Sequence, residues 1–154
     1  MPVRMVDITK KPQVYREAVA RGLIKLRRET VKAIAEGGVE KGDVLTAAQL
    51  AAVMAAKRTH ELIPLCHPIP LTGVDVEFRL GDEHVEVEVR VRTVAQTGVE
   101  MEALTAASIA LLTVWDMVKK MEKDEGGQYP LTEIASVRVE SKVKVDRSVD
   151  GREA

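Results

Sequence analysis

Two groups of polar residues in this chain are spaced so that acid, base and cation fall within reach of one another. Asp116 and Lys119 lie three positions apart, with Lys120 four positions beyond the aspartate. On a helix that spacing sets a carboxylate beside an ammonium group. On a solvated face this is an ordinary ion pair. Asp116, however, follows an almost wholly apolar stretch of that helix, which is expected to be largely buried, and a buried carboxylate needs a partner or changes its protonation state. There Asp116 would take up and return a proton while Lys119 steadies developing negative charge. Both readings stand on the sequence.

The second group begins at Lys57-Arg-Thr-His60, runs through Glu61 and enters the connector Ile63-Pro-Leu-Cys-His-Pro-Ile-Pro70. Its prolines exclude a helix or central strand there and hold Cys66 and His67 at low conformational entropy. His67 is therefore a candidate acid/base or phosphate donor, against the alternative of a packing histidine. Cys66 reads as a small buried hydrophobe rather than a nucleophile. Lys57 and Arg58 suit a helix C-terminus whether or not they meet a ligand. The set His60, Cys66, His67 and His84 matches no paired metal-ligand spacing, so no metal site is expected. Lys41, in Glu-Lys-Gly-Asp43, could hold an ammonium over a phosphate beside the next helix. Arg16, Arg27 and Arg28 could add guanidinium forks for phosphate. Glu100 is explained by capping and Glu102 by the dipole at a helix N-terminus.

The elements that position these residues follow from periodicity. Arg16 to Leu26 reads as a strand, and Arg28 to Glu36 as a short helix stopped by Gly37-Gly38. Asp43 caps a helix over Val44 to Lys57 whose apolar face carries Leu50, Val53 and Met54. Val74 to Leu80 and Val85 to Val91 alternate apolar with charged residues around Gly81-Asp82, a hairpin with one buried face. Thr97 and Glu100 fit a capping box that opens a helix to about Glu122, closed by Gly126-Gly127. Ile134 to Val145 forms the last strand, with room for a break near Ser141. The order gives an α+β fold: a ferredoxin-like split βαβ, with a four-stranded antiparallel sheet, helices on one face and an extra helix in the first crossover. A sheet with one open face and two edges is suited to self-association.

Composition narrows the function. The 154 residues carry 23 Lys and Arg against 24 Asp and Glu, for a net charge of -1. This length predicts a single domain over 1–154 with a sizeable core, and the charge balance denies a general nucleic-acid coat the field it needs. Only Tyr15, Phe78, Trp115 and Tyr129 are aromatic, too few for an RNA-binding sheet. One cysteine allows no internal disulfide, and the N-terminal residues lack a secretory apolar core, so a cytoplasmic location is expected. Ala103 to Met117 falls short of the roughly 20 residues of a membrane span and predicts a core helix. The absence of asparagine and the abundance of Glu, Lys and Arg match a thermophile tendency.

Lys57-Arg-Thr-His-Glu-Leu-Ile-Pro-Leu-Cys-His-Pro68 and Thr97-Gly-Val-Glu-Met-Glu-Ala-Leu-Thr-Ala-Ala-Ser108, the latter continuing to Trp115-Asp-Met-Val-Lys119, closely resemble the cyclic pyranopterin monophosphate synthase family, molybdenum cofactor biosynthesis protein C. The resemblance extends from Met5-Val-Asp7 through Lys41-Gly-Asp43 to about Ile134. It implies a lyase that converts a cyclised dihydroguanosine triphosphate into cyclic pyranopterin monophosphate and releases pyrophosphate. It matches Asp116 to an active-site aspartate, Lys119 and Lys41 to essential lysines, and Leu65, Cys66, His67, Met101 and Glu102 to substrate-binding segments. It further implies a homohexamer, a trimer of dimers with sites at subunit boundaries, so that Lys41 and Asp116 of one site could come from different chains. No cofactor held by the protein is implied, although Mg2+ could accompany the triphosphate. Arg16, Arg27 and Lys57 are added as phosphate-binding candidates. The chain departs from the family where a glycine-rich Lys-Ser-Gly-Gly-Lys-Ser-Gly run is common. Here Glu140-Ser-Lys-Val-Lys-Val-Asp-Arg147 stands instead, with Lys142 aligned to the first lysine and Lys144 displaced from the second. A small-ligand regulatory module on the same fold is the rival from another class, and it predicts binding without turnover.

Overall fold

The computed structural model describes residues 1–146; the last eight of the expected 1–154 domain lie outside the described residues. Chain order is β1 (Val14–Lys25), α1 (Arg28–Glu36), α2 (Val44–Lys57), α3 (Thr59–Leu62), β2 (Leu71–Leu80), β3 (His84–Ala95), α4 (Glu100–Glu122) and β4 (Glu133–Val145). The strands form one antiparallel sheet in the order β2-β3-β1-β4. This is the split βαβ arrangement that the element order predicts.

Alternation decides which face is covered. Val85, Val87, Val89 and Val91 of β3 are fully buried, as are Ala103, Ala106, Ala107, Ala110, Leu111, Val114 and Val118 of α4. Valines fill the pleat while alanines let α4 settle close to it. At the crossing point Gly22 of β1 leaves no room for a side chain: a Cβ there would stand 2.8 Å from Leu111 Cδ1. By length and composition α4 could cross a membrane, yet its inward stripe is the core of this fold.

Local signals hold where they are local. Gly37 closes α1 in the left-handed region at φ 74°, and Asp43 Oδ1 accepts from Thr46 N at 3.0 Å to cap α2. Two expectations are corrected. The buried stripe of α2 is Val44, Ala48, Ala52 and Ala56 with Ala55, whereas Leu50 and Met54 are 61% and 45% exposed. Close approach to the alanine-rich face of α4 selects the small residues and turns the large ones outward. The capping box at Thr97 does not form either. Val99 is the cap residue, without a side-chain cap bond, and Glu100 the first helical residue; the Glu100 carboxylate pairs instead with Lys142 of β4, Oε2 to Nζ 3.2 Å. β4 runs unbroken past Ser141 but carries bulges, with register shifts opposite Val19/Ala20 and Leu23/Ile24.

Candidate active site

Asp116 and its partners come from two places in the chain. The segment between α1 and α2 turns on Gly37 and Gly42, both at positive φ, and the Asp43 cap fixes where it enters α2. That delivers Lys41 to the outer face of α4. Lys41 Nζ lies 3.0 Å from Asp116 Oδ2 and 3.3 Å from the Asp116 carbonyl oxygen. Lys119 Nζ lies 3.1 Å from Asp116 Oδ1. Lys120 is drawn aside to Glu40 at 3.3 Å. The trio borders a cleft of about 320 Å³ that Val39, Met117 and Met121 help to line.

Asp116 is not buried as its apolar run predicts. Its side chain is 56% exposed, since Leu111, Val114 and Val118 take the inward phase of α4. The carboxyl is held below the ordinary aspartate range, chiefly by the hydrogen bond from Lys41 and then that from Lys119. It is therefore a carboxylate at neutral pH, clamped between two ammonium groups. The Lys41 contact forms within one chain, so this pair needs no second subunit.

At the other end of α4 stands a second group. Glu102 is 3% exposed; its Oε2 accepts from Cys66 Sγ at 3.7 Å, while Oε1, and likewise Oε1 of Glu100, is buried without a hydrogen-bond partner among the described residues. Burial pushes the Glu102 carboxyl up. The Cys66 thiol is pushed up to about 11, first by burial and then by the charge of Glu102. It stays protonated at neutral pH, which suits the packing reading rather than a nucleophile. A dipole explanation for Glu102 is insufficient, because it leaves a desolvated oxygen unsatisfied. His67 is half-buried, with Nε2 2.7 Å from the carbonyl oxygen of Val6. Leu65 and Met101 are exposed.

The remaining candidates are dispersed. Arg16 is buried and spends its guanidinium on the carbonyls of Ala95 (3.2 Å) and Gln96 (3.4 Å). It shares a cleft of about 110 Å³ with Lys142 and Lys144. Lys57 is exposed at the end of α2. Arg27 lines a different cavity, with Lys25, Arg28 and His84, and its backbone N–H is held at 3.0 Å by Glu122. Glu122 itself carried no sequence signal. It is fully buried and also accepts from Thr132 Oγ1 at 2.7 Å, tying the end of α4 to the start of α1. Among the described residues no three His, Cys, Asp or Glu gather to hold a metal. Glu102 and Asp116 lie fourteen positions apart on one helix, about 21 Å at 1.5 Å per residue.

Comparison with known proteins converges on one family. The MoaC family model matches residues 5–144. A "probable cyclic pyranopterin monophosphate synthase" of Pyrococcus furiosus is 58% identical over 146 residues, 95% of this chain and 94% of the relative. One of the same name from Aeropyrum pernix is 64% identical over 140 residues, 91% of this chain and 96% of the relative. A "probable cyclic pyranopterin monophosphate synthase accessory protein" of Methanothermobacter thermautotrophicus is 58% identical over 144 residues, 94% of this chain and 91% of the relative. With a match this long and relatives this similar, the chain belongs to the MoaC family.

Proposed function

We propose that this chain is a cyclic pyranopterin monophosphate synthase of molybdenum cofactor biosynthesis, converting a cyclised dihydroguanosine triphosphate into cyclic pyranopterin monophosphate and pyrophosphate. The observation that carries the reading is Asp116 held between Lys41 at 3.0 Å and Lys119 at 3.1 Å on the rim of an open cleft, in a chain of this family.

The pair of ammonium groups gives the carboxylate a conditional basicity. With both lysines on Asp116 the carboxylate is a poor proton acceptor. Phosphate oxygens entering the cleft compete for Lys41 and Lys119, and as the ammonium groups turn to the phosphate the carboxylate recovers its affinity for a proton. Asp116 then accepts the proton of the sugar-derived hydroxyl as that oxygen bonds to the α-phosphorus. The bond from that phosphorus to the departing pyrophosphate breaks, with its negative charge met by the lysines. At the other group, the unpartnered oxygen of Glu102 suits a ring N–H donor of the guanine-derived substrate, which would supply the hydrogen bond that the fold leaves unmade.

The roughly 21 Å between Glu102 and Asp116 along α4 favours a site in which the two groups come from neighbouring subunits of a homohexamer, a trimer of dimers. Leu65, Cys66, His67, Met101, Glu102 and Arg16 then face the Asp116 group of another chain. Lys57 takes part only if assembly carries its exposed ammonium to that boundary. Arg27 is left out, because it opens on a cavity away from both groups. Mg2+ enters with the substrate, held by triphosphate oxygens. The expected location is the cytoplasm, with no nucleic-acid or membrane partner.

Supplying the purified protein with the cyclised triphosphate and following pyrophosphate release tests this reading. Release matched by the cyclic monophosphate supports it. Tight binding without product would favour an accessory or regulatory role.

A further inference from the structure

His67 meets the N-terminal segment in a way that constrains its chemistry. Its Nε2 is 2.7 Å from the carbonyl oxygen of Val6. A carbonyl oxygen can only accept, so the ring proton must sit on Nε2. In the neutral imidazole this leaves Nδ1 as the nitrogen with a free lone pair. No hydrogen bond to Nδ1 is present among the described residues, and the Asp7 carboxylate of the same segment is a charge that acts on the ring.

Val6 is presented by a segment that is exposed along most of its length and held by few bonds. Asp7 Oδ1 accepts from Thr9 N at 2.7 Å and Lys11 N donates to Ile8 O at 3.0 Å, which folds residues 7–11 into a turn. Among the described residues the Gln96 side chain fastens the turn to the body: the two N–H groups of its Nε2 are shared among the carbonyl oxygens of Ile8 at 3.2 Å, Lys11 at 3.2 Å and Thr9 at 3.4 Å. Gln96 follows Ala95, the last residue of β3, so the latch stands on the sheet. His67 sits on the proline-stiffened connector. Segment, latch and histidine together line an open cleft of about 540 Å³.

We propose that residues 5–11, latched by Gln96, are a positioning strap that fixes His67 in its Nε2–H tautomer and turns Nδ1 to the substrate. The proposal rests on the synthase reading for what His67 serves, but not for the tautomer itself. Gln96 is a positioning residue acting through the strap; it need not touch substrate. The physical logic is that of any imidazole oriented by an acceptor on one nitrogen: the acceptor selects the tautomer and locks the ring, and the second nitrogen does the work. A ring free to choose either tautomer loses part of its population to the wrong one, and a misplacement near 1 Å at a reacting group costs about a hundredfold in rate.

Nitrogen-15 NMR of the His67 ring tests the tautomer without substrate, so its result is independent of whether the protein turns over. At a pH where the ring is neutral, the full chain should carry its ring proton on Nε2. Removing residues 1–7, an exposed stretch outside the sheet, should give a mixture of tautomers. An Nδ1–H ring in the full chain, or one unchanged by the truncation, would overturn the proposal. Turnover adds a second readout. Gln96→Glu keeps the side-chain length but has no N–H to donate, and should lower kcat about tenfold or more, with KM changed less. Gln96→Lys restores a donor and should recover most of that loss. If Gln96→Glu works as well as the unaltered protein, the latch has no such role.

Discussion

Asp116 sits between two cations with more than half of its side chain open to water, so its pair with Lys41 and Lys119 adds little to folding and much to the local field. Asp116→Asn should therefore leave thermal melting unchanged while lowering kcat about a hundredfold or more, measured as pyrophosphate release. The sign of the pH effect follows from the lowered carboxyl. What ionised Asp116 contributes is present above the ordinary value of about 3.9 and is lost only as pH falls through its lower folded value. Lys41→Met removes the first cause of the lowering and should move the acid limb of kcat/KM upward. Glu102 has the opposite sign. Its raised folded value stabilises the protein below the ordinary glutamate value of about 4.3, and that contribution is lost as pH rises through the folded value. Denaturant titrations of Glu102→Gln and the unaltered protein at acidic and neutral pH should show the unaltered protein falling behind as pH rises. Equal responses would mean the carboxyl is not desolvated.

At the level of helices and strands, α4 is fixed from beneath by Gly22 and at its end by Glu122. Gly22→Ala should cost about 1–3 kcal/mol by forcing Leu111 off its seat, and Leu111→Ala in the same chain should relieve the clash while adding its own cavity. Glu122→Ala strands Arg27 N–H and Thr132 Oγ1 and should cost about 1–3 kcal/mol, read as a shift in denaturation midpoint. These contacts also explain what the sequence could and could not reveal. α1, the hairpin and the Asp43 cap are legible because glycine, alternation and an N-cap act over a few residues. Four-residue α3 has too few positions to show a period. The burial of α2 and the exposure of Asp116 depend on how two apolar helices are rotated against each other, and neither period nor composition reports that phase where nearly every position is apolar. Asp116 with Lys119 can be read from spacing along one helix, whereas Lys41 joins them from 75 positions away, a closure set by two glycines and the packing of α2. Its place before an N-cap marks Lys41 as a phosphate candidate and the resemblance as an essential lysine, but no local signal joins it to Asp116.

Over the whole chain the candidate groups lie toward opposite ends of α4, and the outward faces keep large apolar side chains in water: Leu50 and Met54 on α2, Leu112 on α4. The open side of the sheet carries a lattice of charge instead, with Arg21 bonded to Glu86, Glu88 and Glu140 and Arg90 and Arg92 to Glu17. If one catalytic centre draws on two chains, Asp116→Ala and His67→Ala proteins should each be inactive alone. Random reassembly of equal amounts should then restore about a quarter of the sites; no recovery after verified subunit exchange would place both groups in one chain's site. The most direct measurement is a single turnover of cyclised dihydroguanosine triphosphate by the purified protein, with cyclic pyranopterin monophosphate and pyrophosphate both quantified, beside Asp116→Asn. One equivalent of each product from the unaltered protein, and a reaction at least about a hundredfold slower from the variant, is the expected result. Equal rates from the two proteins, or substrate bound and recovered unchanged from both, would contradict it.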